Sequence, residues 1–162
     1  MKKSVTVLLL GLLLLSIPAS AWGFTTPTVT KNHGVLYALI ASDSQFVLGG
    51  EFGFTDELAV SAALEDKIKV GVKYELDSSL AILGGIAESS PFIGLNAATA
   101  LNQDLAGMGE LDFTISGSKI KFIYNLGLKY NLPQNIDLRG GLRGKIGSGN
   151  QVSFALGVGY KF

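Results

Sequence analysis

The sequence predicts an all-β protein: one antiparallel, up-and-down sheet of about ten strands closed into a barrel, with eight strands as the smaller alternative. Three observations carry this. The closing segment alternates without a break, Val152, Phe154, Leu156, Val158, Tyr160 and Phe162 on one face and Ser153, Ala155, Gly157, Gly159 and Lys161 on the other. Strand side chains point to opposite faces with a period of two, so this is an apolar face backed by a small, polar one. Beyond Ala21 no segment has the pattern of a long apolar helix, and clusters of turn-forming residues recur at short intervals.

The elements follow in chain order. Lys2 and Lys3 form a basic region, Val5 to Leu15 an apolar run broken only by Thr6 and Gly11, and Ala19-Ser20-Ala21 an A-x-A cleavage site. This is a secretory signal peptide over 1–21. A retained membrane helix fits less well, because the run is short and Pro18 follows it. The chain has no cysteine, which leaves neither a lipoprotein anchor nor a disulfide framework. A periplasmic leader is expected over 22–33, ahead of a barrel domain over 34–162.

Within the barrel, turns are expected at Ser42-Asp43-Ser44, Thr55-Asp56-Glu57, Glu65-Asp66, Asp77-Ser78-Ser79, Ser89-Ser90-Pro91, Asn102-Gln103-Asp104, Ser116-Gly117, around Pro133, and at Gly147-Ser148-Gly149-Asn150. They delimit strands at 34–41, 45–54, 58–64, 67–76, 80–87, 92–101, 105–115, 118–130, 136–146 and 151–162. Strands of about 9–11 residues suit a tilted crossing of a bilayer. Four of the five even-numbered strands, the second, fourth, eighth and tenth, share an ending, with Phe52 and Phe54, Tyr74, Tyr130, and Tyr160 and Phe162 following a glycine. Even strands of an up-and-down barrel end on one side, so these rings form a belt at one membrane interface.

Charge placement is an independent check. Glu51, Lys67, Lys69, Lys73, Glu75, Glu110, Asp112, Lys119, Lys121, Lys129, Asp137, Arg139, Arg143, Lys145 and Lys161 all fall on the face opposite the apolar one. In the eighth strand the apolar face is Ile120, Phe122, Tyr124, Leu126, Leu128 and Tyr130. Alternation alone leaves open which face is inside. A soluble secreted barrel that binds an apolar ligand puts the aromatic face in its core, whereas a membrane barrel reverses this. Glycines on the charged face, the aromatic belt and the terminal aromatic favour the membrane arrangement. A lysine or arginine facing lipid costs about 2–4 kcal/mol at the midplane.

With its signal peptide, strand pattern and terminal Tyr160-Lys161-Phe162, the chain resembles small bacterial outer-membrane β-barrels, porin-like and related to the OmpA and OmpX type. The resemblance implies a transmembrane barrel in the outer membrane of a diderm bacterium, in contact with outer-membrane lipid. It implies passage through periplasmic chaperones and the barrel-assembly machinery, with Tyr160 and Phe162 as the assembly signal. Its short outer turns differ from the long loops of binding members of that superfamily.

Chemistry is sparse. The one histidine, His33, stands in the leader as a solvated residue without a catalytic partner. Metal-ligand spacing and phosphate-loop context are absent. No cofactor, no nucleic-acid partner and no enzymatic activity are expected. Glu110 and Asp112, two apart on the inward face, are expected to join an ion-pair network with basic neighbours on strand eight, Lys121 among them. The lumen-lining candidates are Lys69, Lys73, Glu110, Asp112, Lys121, Lys129, Arg139, Arg143 and Lys145. Ten of the fifteen strand charges are basic, so the functional expectation is a structural barrel or a narrow, porin-like pore of weak anion preference.

Overall fold

The computed structural model describes residues 24–65, 67–116, 119–147 and 151–162. The expected signal peptide, Trp22, Gly23, Asp66, Gly117, Ser118 at the expected start of the eighth strand, and the turn residues 148–150 lie outside them. Alternating small or charged and apolar residues build β1 (Gly34–Ala41), β2 (Phe46–Gly53), β3 (Leu58–Leu64), β4 (Ile68–Asp77), β5 (Leu80–Ala87), β6 (Ser90–Ala100), β7 (Leu105–Ser116), β8 (Lys119–Asn131), β9 (Ile136–Ile146) and β10 (Gln151–Lys161). Each pairs antiparallel with its sequence neighbours, and β1 pairs with β10 from Val35↔Lys161 to Ala41↔Ala155. The result is a closed ten-strand, up-and-down barrel. Closure leaves no sheet edge whose N–H and C=O groups lack partners.

We call the rim where β1 begins and β10 ends proximal, and the opposite rim distal. β6 starts two residues earlier than its sequence pattern indicates, because the reversal is made by Glu88 and Ser89 alone. Both have positive φ, 53° and 66°, the signature of a tight hairpin turn whose twist matches its strands. Ser90 and Pro91 therefore pair with Ala87 and Ile86. Proline is tolerated here because it stands at the start of its strand.

The faces sort as a membrane barrel requires. Ile40, Ile68, Ile93 and Leu156 each stand more than half exposed on the outside, while Lys69, Lys73, Asp112, Asp137, Arg139 and Arg143 are buried inside. A barrel with the aromatic face as its core would show the reverse. At the proximal rim Phe54, Tyr74, Tyr130, Tyr160 and Phe162 are exposed. Phe52 links this belt, edge-on to Phe54 at 5.4 Å and stacked with Phe162 at 6.5 Å. Tyr124 is the exception among the outward rings: it is buried, lying over its cross-strand partner Gly144. Any Cβ at Gly144 would collide with that ring.

The wall is uneven in height. β1, β2, β3 and β5 have 8, 8, 7 and 8 residues, whereas β7 and β8 have 12 and 13. Two apolar clusters fill the interior. Ala63, Leu83, Ala87, Phe92 and Ile123 pack toward the distal end, and Phe24, Tyr37, Leu39, Val47 and Met108 belong to the second.

Candidate functional site: the barrel lumen

The inward positions of β4 and β7 carry the central charges. Lys69 of β4 reaches across the lumen to Glu110 at 3.2 Å and Asp112 at 2.6 Å on β7. Its ammonium also lies 4.3 Å from the centre of the Phe92 ring, a cation–π contact in a dry setting. The acids thus find their partner three strands away on β4, not on β8 as the sequence pattern suggested. Lys121 pairs laterally with Thr114, nearer the distal rim than either acid, and its ammonium lies 3.7 Å from Glu88 instead. Lys73 pairs with Glu51. Arg143, wholly buried, pairs with Glu65 at the start of the β3–β4 turn.

The leader enters this network. Expected as a periplasmic segment ahead of the barrel, residues 24–30 instead run into the lumen from the proximal end, with Phe24, Thr25, Pro27 and Val29 buried. Barrel side chains hold its backbone. Arg139 donates to the carbonyl of Phe24 at 2.7 Å, Asn96 to that of Thr25 at 3.0 Å and Lys73 to that of Thr26 at 2.8 Å. Glu75 accepts from the Val29 N–H at 2.5 Å, and Asp56 from the Lys31 N–H at 3.3 Å. The Thr25 hydroxyl donates to Glu110 at 3.5 Å and accepts from Lys73 at 3.3 Å. An extended segment has no internal hydrogen bonds, so its buried polar groups need these partners. Gly127 makes the room: a Cβ there would stand 2.6 Å from the Phe24 ring.

Arg139 also grips Asp137, with Nε and a terminal nitrogen each 2.7 Å from one carboxylate oxygen. At the distal rim Glu88 gathers Lys67 at 3.1 Å, Lys121 at 3.7 Å and Lys145 at 3.8 Å. Partial burial raises the Glu88 pKa, but the Lys67 hydrogen bond and the Lys145, Lys121 and Lys67 charges outweigh it and hold the group below its ordinary value. His33 is exposed at the proximal rim, its Nδ1 2.9 Å from the Lys31 carbonyl.

Beside the leader lies a proximal vestibule of about 690 Å³. Ala98, Ala100 and Ala106 keep one wall low, and Lys129, Arg139 and Lys161 line the other. Chemically the lumen holds backbone and charge; the Glu110–Asp112 carboxylate pair is occupied by Lys69 and Thr25. Among the described residues no group of three or more His, Cys, Asp or Glu is arranged to hold a metal. Tyr160 and Phe162, the expected assembly signal, stand outside the lumen on the proximal belt. Sequence reasoning missed the leader, Asn96 and Glu65. The available signal is the inward glycine at 127, the seat of Phe24.

No family model matches the chain, and no curated protein does. Among solved structures, the chain is similar to a de novo designed transmembrane β-barrel, with 18% identity, a TM-score of 0.46, and 83% of this chain and 99% of that one covered. It is similar to the KdgM porin, with 12% identity, a TM-score of 0.47, and 80% and 99% covered. It is also similar to the N-terminal β-barrel domain of OprF from Pseudomonas aeruginosa, with 15% identity, a TM-score of 0.38, and 82% and 98% covered.

Proposed function

We propose that this chain is an outer-membrane β-barrel of a diderm bacterium with a filled lumen, serving as a structural element of the envelope and carrying no catalytic activity. The observation that supports this reading best is the joint inversion and filling of the barrel. Apolar residues face outward, charges face inward, and the leader runs through the space they enclose, beside the proximal vestibule. The apolar outer face suits outer-membrane lipid as its solvent. Tyr160 and Phe162 serve as the signal to the assembly machinery, after delivery by periplasmic chaperones.

The test is fractionation with heat-modifiable migration on SDS gels, followed by conductance in planar bilayers. The reading requires recovery with outer membranes, a compact unheated band and no steady conductance. Recovery as a detergent-independent soluble protein would overturn the membrane assignment, and steady channels from the wild type would overturn the filled lumen. A narrow pore of weak anion preference is the second reading, favoured by the Lys129, Arg139 and Lys161 wall. Under it, Arg139→Glu with Arg143→Glu shifts selectivity toward cations, since lining charges set the field of a narrow pore.

A further inference from the structure

The proximal vestibule has more positive charge than its own carboxylates balance. Lys129 of β8 is the direct cross-strand partner of Arg139 on β9, an arrangement in which like charges repel. The natural counter-ion, Asp137, is taken by Arg139 through both carboxylate oxygens. The other acid on the wall, Glu51, is taken by Lys73. Lys161 of β10 extends across to the end of β8, where its ammonium lies 2.6 Å from the neutral Asn131 side chain. Asn131 is two residues from Lys129 on the same face of β8. Two ammonium groups are thereby brought to one wall, beside a guanidinium, with no ion pair to a carboxylate among the described residues.

We propose that this vestibule is a binding site for a small divalent anion, a phosphate or dicarboxylate group, that enters from the proximal rim and is held between Lys129 and Lys161. The cavity has the volume of a small-ligand site, in the usual range of about 300–1,000 Å³. The leader's Thr26 and Thr30 add hydroxyl groups to its lining. A doubly charged ligand offsets the Lys129–Arg139 repulsion in a way that a single carboxylate on the wall does not. The site goes beyond the structural reading and stands whether or not the lumen conducts.

The experiment is titration of inorganic phosphate, and separately succinate, into the folded full chain in zwitterionic detergent, read by amide chemical shifts of β8 and β10. Saturable shifts around Lys129 and Lys161 are expected, weakened by added salt. Lys129→Met and Lys161→Met each reduce affinity about tenfold, the scale of one lost charge-assisted hydrogen bond. Lys145→Met at the distal rim leaves it unchanged. Every variant is first checked for heat-modifiable migration, and because the two lysines lie on different strands, either alone suffices for the test. Shifts that never saturate overturn the site, as does affinity untouched by a folded Lys129→Met or Lys161→Met variant. Equal competition by chloride overturns the divalent preference, and binding of only one of phosphate and succinate identifies the group recognised.

Discussion

Arg139 joins the barrel to its leader: its guanidinium donates to the Phe24 carbonyl at 2.7 Å while holding both oxygens of Asp137. Both residues of that ion pair are buried, so the leader is anchored by a group held away from bulk solvent at the inner end of the vestibule.

Arg139→Met therefore leaves Asp137 buried without its partner, and such a loss costs about 3–5 kcal/mol. The double variant Arg139→Met with Asp137→Leu restores most of this, because the stranded charge is gone. Urea unfolding of the detergent-folded protein measures both. A double variant no more stable than the single one would refute the pairing.

The two faces of the wall respond differently to substitution. Leu156→Arg, in the middle of β10 and more than half exposed, should impair membrane insertion by about 2–4 kcal/mol. Gly127→Ser keeps the lipid face apolar; it should displace Phe24, whose ring a Cβ would meet at 2.6 Å, and shift the β9 backbone at the equally close Gly140 carbonyl. Liposome-insertion yield reads the first effect; protease sensitivity of the leader in the inserted protein reads the second.

The distal rim is sensitive to acid. The folded-state pKa of Glu88 lies below its ordinary value, so its contribution to stability is present above the unfolded-state pKa of about 4.3 and is lost as pH falls through the lower folded-state value. Melting temperatures of the wild type and Glu88→Gln should differ at neutral pH and converge in acid. A gap that persists at the lowest pH would exclude Glu88 as its source.

Phe162 closes the seam between β10 and β1, exchanging backbone hydrogen bonds with Gly34 at 3.0 and 2.9 Å. Deleting it removes these bonds, the stacking on Phe52 and the proposed assembly signal. Cells should show misassembly and degradation, while the purified chain folds into detergent almost normally, since the rest of the β1–β10 ladder remains. Loss of folding in both settings would assign Phe162 a structural role in place of a signalling one.

The strands and their two faces were legible because alternation is a local signal: Val152 to Phe162 declares its inward and outward sets without reference to any other strand. The ten strands and the proximal belt follow from such local patterns and the turns between them. Contacts across the lumen left no such trace. Lys69 meets Asp112 over 43 residues of chain, and nothing in either strand names the other, so Lys121 looked the nearer partner. The leader was illegible for a related reason. Thr25 to Thr30, interrupted by Pro27, has neither strand nor helix periodicity, and what fixes it is the shape of a cavity made by residues far along the chain. Tyr124 shows the same limit, since its outward position was legible but its burial over Gly144 was not.

The difference in strand length has a mechanical consequence. β3 presents Leu58, Val60, Ala62 and Leu64 outward, whereas β8 presents six side chains from Ile120 to Tyr130. At about 3.4 Å per residue, the untilted β3 measures about 24 Å and β8 about 44 Å. Lipid cannot match both with one thickness. Beside β3 it must thin, or the whole cylinder must lean, each at a fraction of a kcal/mol per Å of mismatch. In a bilayer, a wall of this shape favours thinner lipid on the β3 side than on the tall side opposite it.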